Sequence, residues 1–384
     1  MSDYQQLIHK SRYARWLDDE GRRETWDETC QRYADFWDDK VDLATKSEIF
    51  NMIRDMQVMP SMRALWAAGP ALDRDNTCAF NCAYVAVDHI RAFDEAMYLL
   101  MCGCGVGYSV ERQSISKLPE VAEQLVDTDT TIVVRDSKIG WATAFKQLIS
   151  MLYAGEVPQW DVSGVRPAGA KLKTMGGRAS GPAPLVDLFE FTVRVFKGAA
   201  GRKLNSTEVH DIMCKVGEVV VVGGVRRSAM ISLGNVSDDR HRSLKTGEWW
   251  KHDPQRALAN NSAVYTEKPD FGVFQTELKS LYDSYSGERG IFNREGAKKK
   301  LEALGVRDVD HDFGCNPCAE ILLRSAGLCN LTEVIIRPED TLETLKYKVK
   351  YATIMGTLQS SLTDFRYLRS KWKNNAEEER LLGV

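Results

Sequence analysis

The sequence lacks any apolar run long enough to cross a membrane and any large excess of one charge. No window of about 18 apolar residues occurs in it, so we predict a protein without a membrane span. The formal net charge is −3, which excludes a global basic field of the kind that holds nucleic acid. The first 20 residues are polar and charged, unlike a signal peptide, and this predicts a cytoplasmic location.

Internal repeats and low-complexity segments are also absent. Apolar residues make up 43% of the chain and charged residues 27%, which is the balance of a globular protein with a sizeable core. Residues 1–57 are predicted to be a helical segment, after which short strands alternate with helices. This alternation predicts an α/β architecture with largely parallel strands.

The expected elements follow from periodicity and from the turn residues between them. Residues 161–182 are rich in glycine, proline and basic side chains and are predicted to be a long functional loop. Strands are expected at 82–88, 108–112, 229–234 and 331–337, and helices at 93–101, 141–153, 185–198, 207–221, 270–284 and 293–304.

Cysteine occurs nine times, and an odd number in a long chain argues against a secreted disulfide framework. The densest chemistry lies in residues 314–321, GCNPCAEI. If the backbone there is extended, Cys318 and Glu320 point the same way, and Asn316 joins the same face. A thiol, a carboxylate and an amide on one side of a short turn can act on one small substrate.

Other functions fit the same spacing. Cys315 and Cys318 have the separation of zinc ligands or of a dithiol, although a zinc site usually needs a second pair. Pairs that could complete such a site are present, and buried structural cysteines are a further alternative. On spacing alone these possibilities stay open; the candidate second pairs are Cys78 with Cys82, and Cys102 with Cys104.

A family resemblance favours catalysis among them. The run NPCAEI, followed by CNL from Cys329, resembles the active-site segment of ribonucleotide reductases, Asn-Pro-Cys-x-Glu-Ile and then Cys-Asn-Leu. The likeness is greatest to the adenosylcobalamin-dependent reductases. Further segments resemble the family's motifs in the same order: PSMRALW at 60–66, Asn81-Cys82, GCGVGYSV at 103–110, the loop 161–182 and GGVRRSAMISLG at 223–234.

The resemblance implies a fold and a domain organisation. Residues 58–384 would form the first part of the family's ten-stranded α/β barrel, with the helical segment 1–57 before it and a regulatory loop near 161–182. The rest of the barrel would be missing, so a second polypeptide is expected to complete it. The segment between Val87 and Phe93 is short beside the long insertion of some monomeric relatives.

The resemblance also implies an activity, the reduction of ribonucleotides to 2′-deoxyribonucleotides for DNA synthesis. Cys318 would become a thiyl radical that takes the 3′ hydrogen of the ribose, and Glu320 would accept the 3′-hydroxyl proton. Asn316 would bond the sugar hydroxyls. Cys82 and Cys329 would supply two electrons and end as a disulfide, which a thioredoxin-like donor would reduce.

Further site residues are implied with less specific chemistry. Substrate contacts would come from Ser61, Asn81 and Gly105, although a tight turn without a ligand also explains the glycines. An ATP or deoxynucleotide effector would bind near the regulatory loop, for which a solvated basic loop is the alternative. The expected effector residues are Asp88, Arg166, Lys171 and Lys173.

Adenosylcobalamin is the expected radical source, and a di-metal partner subunit is the alternative. No metal ligand is expected in the chain itself. Two other functions stay open: a cysteine-rich metal-binding protein, and a non-catalytic remnant that binds nucleotides.

Overall fold

The computed structural model describes residues 1–170, 178–222 and 229–384. Its contacts divide the chain into two compact units. The first unit comprises Met1–Asn81 and Leu328–Val384, and the second is the continuous segment Cys82–Gly327. Distant parts of the sequence therefore fold together in the first unit.

The first unit is mainly helical, and most of its helices begin at a residue whose side chain caps them. Ser2 and Thr25 each form a capping box, and Asp42 caps the third helix. The predicted segment 1–57 contains the first three helices, and its boundary with a barrel stays a prediction. The helices are Asp3–Arg12, Trp26–Asp35, Leu43–Arg54, Met62–Ala67, Pro70–Arg74, Leu342–Ser360 and Ser370–Glu379, with a 3-10 turn at Asn76–Ala79.

Three short strand pairs complete the first unit. Two are antiparallel: Trp16–Leu17 with Arg22–Arg23, and Val58–Met59 with Glu333–Val334. In the third, Asn330 and Leu331 pair in parallel with Leu382 and Gly383.

The second unit is built on five parallel strands, which confirms the predicted α/β architecture with parallel strands. From one edge inward they are Gly290–Asn293, Ala259–Tyr265, Met230–Asn235, Gly105–Ser109 and Cys82–Ala86. The longer helices of this unit are Arg91–Cys102, Lys138–Tyr153, Ala183–Gly198, Ser206–Val222, Phe271–Ser284 and Arg294–Leu304.

Smaller elements decorate this sheet. Val126–Val133 pairs in parallel with Glu156–Asp161, and Gly314–Cys315 pairs antiparallel with Leu322–Leu323. Four short helical turns lie at Arg112–Ile115, Asp239–Arg242, Trp249–His252 and Pro254–Leu258.

The predicted helices are confirmed with small changes at their ends, whereas several strands differ. The strand expected at 331–337 is wrong, since the structure has Gly327–Leu331 and only the two-residue Glu333–Val334 after it. The strand Val126–Val133 was not predicted, because its mostly exposed Asp and Thr residues give no apolar alternation.

Across the described ranges, no helix is both long enough and apolar enough to span a membrane.

Candidate active site

Residues 315–321 form a tight turn, here named the cysteine turn. The backbone N–H of Asn316 donates to the Ile321 carbonyl at 3.3 Å, and that of Ala319 donates to the Asn316 carbonyl at 2.9 Å. The Asn316 side-chain oxygen also accepts from the Ile321 N–H at 3.0 Å. Ala319 has a φ of 66°, in the left-handed region that sharp turns require. Asn316 is fully buried, so it closes the turn from inside.

The cysteine turn presents its chemistry outward. Cys318 is exposed, whereas the other eight cysteines are buried. Glu320 is exposed as well. The turn therefore offers one accessible thiol and one accessible carboxylate, two residues apart.

Cys82 lies against the inner side of this turn. It begins the strand Cys82–Ala86, and the Asn316 side-chain N–H donates to its Sγ at 3.6 Å. Only 8% of the Cys82 surface is exposed. The structure thus brings together Cys82 and Asn316, two of the residues predicted for catalysis, beneath the turn that carries Cys318 and Glu320.

Glycines on the neighbouring strand make this packing possible. A Cβ atom on Gly105 would lie 2.9 Å from Cγ of Pro317, and one on Gly107 would lie 1.9 Å from the Cys315 carbonyl oxygen. A side chain at either position would push the cysteine turn off the sheet. The predicted contact between Gly105 and substrate stays a prediction.

Cys315 differs from Cys318 in its surroundings. It is fully buried, and burial together with the nearby Glu320 carboxylate raises the pKa of its thiol to about 12. Cys315 is therefore a thiol at neutral pH rather than a thiolate. In the part of the chain that the structure describes, no cluster of three or more His, Cys, Asp or Glu side chains is placed to hold a metal ion.

Cys329 belongs to the first unit, where Asn81 brackets it. The Asn81 backbone N–H donates to the Cys329 carbonyl at 3.0 Å, and the Asn81 side-chain oxygen accepts from the Leu331 N–H at 3.2 Å. Only 1% of the Cys329 surface is exposed. Asn81 thus fixes the backbone around this cysteine, and its predicted contact with substrate stays a prediction.

Ser61 caps the helix Met62–Ala67 in the same unit. Its Oγ accepts from the Ala64 N–H at 3.1 Å and from the side-chain N–H of Gln359 at 3.0 Å. Neither bond uses the hydroxyl proton, which can still be donated to an anion. The predicted contact with substrate phosphate stays a prediction.

The residues predicted for an effector site are only partly described. Asp88 is half-buried just after the strand Cys82–Ala86. Arg166 pairs with Asp136, with 2.7 Å between Nε and Oδ2. Lys171 and Lys173 lie outside the described residues, as does 223–228 of the GGVRRSA segment. The effector role of all four residues stays a prediction.

One buried ion pair beside the turn was not predicted from the sequence. Arg294 and Glu111 each have side chains only 2% exposed and are joined by two bonds of 2.7 and 3.0 Å. The Arg294 Nε–H also donates to the Phe313 carbonyl at 2.6 Å. The only signal in the sequence is a charged residue directly after a buried strand, and nothing links it to a partner 183 positions away.

A family model gives the first comparison with known proteins. The model described as "B12-dependent ribonucleotide reductase, insertion domain" matches residues 111–196. The matched residues follow the strand Gly105–Ser109 and do not include the short segment between Val87 and Phe93.

Curated relatives match over most of this chain. The adenosylcobalamin-dependent ribonucleoside-triphosphate reductase of Lactobacillus leichmannii is 30% identical over 401 residues, which cover 85% of this chain and 54% of the relative. The corresponding reductase of Euglena gracilis is 28% identical over 371 residues, which cover 89% of this chain and 50% of the relative. The chain therefore spans about half the length of the curated relatives it matches.

Solved structures show the same relation. A crystal structure of a B12-dependent (class II) ribonucleotide reductase matches with a TM-score of 0.76 and 25% identity, over 94% of this chain and 59% of that one. The alpha subunit of the class Id ribonucleotide reductase of Actinobacillus ureae matches with a TM-score of 0.54 and 11% identity, over 100% of this chain and 59% of that one. At this identity the match shows a likeness of fold alone.

Proposed function

We propose that this chain, which is related to the adenosylcobalamin-dependent ribonucleotide reductases over about half of their length, carries the reaction centre of an enzyme that reduces ribonucleotides to 2′-deoxyribonucleotides for DNA synthesis. The cysteine turn is the observation that supports this best. An exposed Cys318 and an exposed Glu320 stand on one rigid turn, and buried Asn316 holds that turn to Cys82.

The proposed reaction follows the family's chemistry. A Cys318 thiyl radical takes the hydrogen atom from C3′ of the ribose, and Glu320 accepts the 3′-hydroxyl proton. The 2′-hydroxyl takes up a proton and leaves as water. Cys82 and Cys329 supply two electrons and two protons in all and end as a disulfide, after which Glu320 returns the proton to the 3′-oxygen and Cys318 returns the hydrogen atom to C3′. A thioredoxin-like reductant then restores the two thiols by exchange.

The geometry of the turn suits this division of roles. Hydrogen-atom transfer needs the reacting atoms held in a fixed approach, which a turn closed by Asn316 supplies. The reducing thiol of Cys82 is almost fully buried, so it is protected from other oxidants until substrate is bound.

Adenosylcobalamin, which the names of the relatives specify, would supply the initial radical when bound. The donor set fits this role, because Cys318 is exposed and can face a large cofactor, whereas Cys82 and Cys329 are buried. A radical delivered by a di-metal partner subunit would need the same exposure and stays the alternative.

Three further partners belong to the proposal. The substrate is a ribonucleoside triphosphate, and an ATP or deoxynucleotide effector acts through the regulatory loop 161–182. The third is the remainder of the barrel, since the chain covers 50–59% of the length of these matched relatives.

The test is ribonucleotide reduction by the chain, alone and together with a polypeptide that carries the rest of the barrel. Adenosylcobalamin, dithiothreitol, a ribonucleoside triphosphate and an effector nucleotide are present, and deoxynucleotide is quantified. We expect turnover only with both polypeptides. Cys318→Ala should abolish it, whereas Cys30→Ala, which removes a buried thiol of the helix Trp26–Asp35, should retain it.

Two outcomes would contradict the proposal. Full activity of Cys318→Ala would exclude this thiol as the radical site. Stoichiometric zinc that is lost in Cys318→Ala would instead support a metal-binding protein, because a ligated thiolate cannot cycle as a radical.

A further inference from the structure

We propose that the buried Arg294–Glu111 ion pair is a positioning device for the radical cysteine, an inference that rests on the proposed function. Both side chains are only 2% exposed, so the pair does not act by direct contact with substrate. It acts by fixing the backbone from which the cysteine turn departs.

The pair joins three separate segments of the second unit. Glu111 lies just beyond the end of the strand Gly105–Ser109, where its carboxylate also accepts from the Ser109 hydroxyl at 2.8 Å. Arg294 opens the helix Arg294–Leu304. Phe313, whose carbonyl receives the Arg294 Nε–H, precedes the strand Gly314–Cys315 that leads into the turn.

The guanidinium group is suited to this task because it bonds in two directions at once. Two N–H groups form a fork on the Glu111 carboxylate, and a third, Nε–H, points to the Phe313 carbonyl. A lysine ammonium at position 294 keeps the charge but cannot reproduce this planar fork together with the third bond.

A displacement at Phe313 passes directly to the turn. Cys315 follows by two residues, and its carbonyl oxygen sits where a Cβ atom on Gly107 would be, in direct contact with the sheet. Asn316 then bonds Cys82. The ion pair and the Asn316 bonds therefore hold the turn at its entry and at its base, and these anchors set the position of Cys318.

Loosening the pair should impair chemistry more than binding. A misplacement of the reacting atom by about 1 Å can lower a rate by about 10²-fold. In the active reductase we therefore expect Arg294→Lys and Glu111→Gln to lower kcat by about 10²-fold with little change in KM. Lys299→Gln breaks an exposed ion pair on the same helix and is the matched control.

The position of the turn can also be measured without catalysis, because buried cysteines report on it. Iodoacetamide labelling of the folded chain, resolved by mass spectrometry at each cysteine, gives separate rates for Cys315 in the turn, for Cys82 beside it and for Cys214 elsewhere in the same unit. In both ion-pair variants we expect about tenfold faster labelling at Cys315 and Cys82, through local opening, and an unchanged rate at Cys214.

Three kinds of result overturn the inference. Equal acceleration at all three cysteines, or failure of both variants to fold, means that the pair serves global stability alone. Wild-type labelling and wild-type kcat mean that the turn does not depend on the pair. Faster labelling of Cys315 and Cys82 with an unchanged kcat means that contacts other than the ion pair position Cys318. If the labelling changes as expected but the wild-type enzyme reduces no ribonucleotide, the proposed function fails while the anchoring of the turn stands.

Discussion

The Asn316 side chain forms hydrogen bonds with two partners at once. Its oxygen accepts from the Ile321 N–H and its amide group donates to Cys82. A carboxamide has two donors and two lone pairs, so these bonds leave one N–H and one lone pair. The predicted bond to a sugar hydroxyl is therefore compatible with the structural role of this buried side chain.

The two cysteines proposed as reductants offer a prediction at the same scale. Without an external reductant, the reconstituted enzyme should form about one deoxynucleotide per active site and lose two thiols, because Cys82 and Cys329 can supply only two electrons. Cys82→Ser and Cys329→Ser should each abolish this burst. Rapid-quench product analysis with thiol titration measures both quantities.

Cys30→Ser is the control for that experiment, since Cys30 lies on the helix Trp26–Asp35 and has no proposed redox role. A full burst in Cys329→Ser would show that another thiol reduces the substrate.

Among the elements, the strand Gly105–Ser109 shows why small residues recur beside the site. A Cβ atom on Gly107 would lie 1.9 Å from a backbone oxygen of Cys315, and backbone cannot move aside as a flexible side chain can. We predict that Gly107→Ala destabilises the protein by about 1–3 kcal/mol through overpacking. Urea unfolding measures the loss.

Gly198→Ala is the matched control for this strand variant. Gly198 ends the helix Ala183–Gly198, and the added Cβ has no atom within 4 Å apart from its chain neighbours and the backbone of its own helix. The stability of the Gly198→Ala variant should be unchanged or slightly higher than that of the wild type, because alanine favours the helix by up to about 1 kcal/mol relative to glycine. A loss as large as that of Gly107→Ala would argue against contact with the cysteine turn as the cause.

At the scale of the whole molecule, the first unit should be sensitive to acid. Burial alone would raise the pKa of Glu24, but hydrogen bonds and charge from Arg32 outweigh it and hold that pKa below its ordinary value of 4.5. A carboxyl group whose pKa is lowered by folding stabilises the fold at pH values above its ordinary pKa. This stability is lost as the pH falls through the pKa that the group has in the folded state.

Glu24→Gln tests this expectation. At neutral pH it should cost about 3–5 kcal/mol, because Arg32 is left buried without its anion. The difference from the wild type should shrink as the pH falls below 4.5. Urea unfolding at neutral pH and at about pH 3.5 measures it, with exposed Asp39→Asn as the control. A difference that is constant with pH would contradict the ionic origin.

How far sequence predicts this molecule depends on the range of the interaction. Local patterns predicted the helices and the NPCAEI turn, because periodicity and turn chemistry act over a few residues. The Arg294–Glu111 pair, like the two-part first unit, depends on contacts between segments far apart in the chain. No local pattern encodes such contacts, and the need for glycine at position 107 follows only from its close contact with the Cys315 backbone.

The division of the chain into a continuous unit and a discontinuous one has a consequence for its synthesis. Residues 82–327 form their unit from one continuous segment, so this unit can fold as it leaves the ribosome. Residues 1–81 emerge first, yet they must wait for residues 328–384 before their own unit is complete. During translation the earliest part of the chain is thus the last to be protected, and its apolar surface is the one that chaperones would meet.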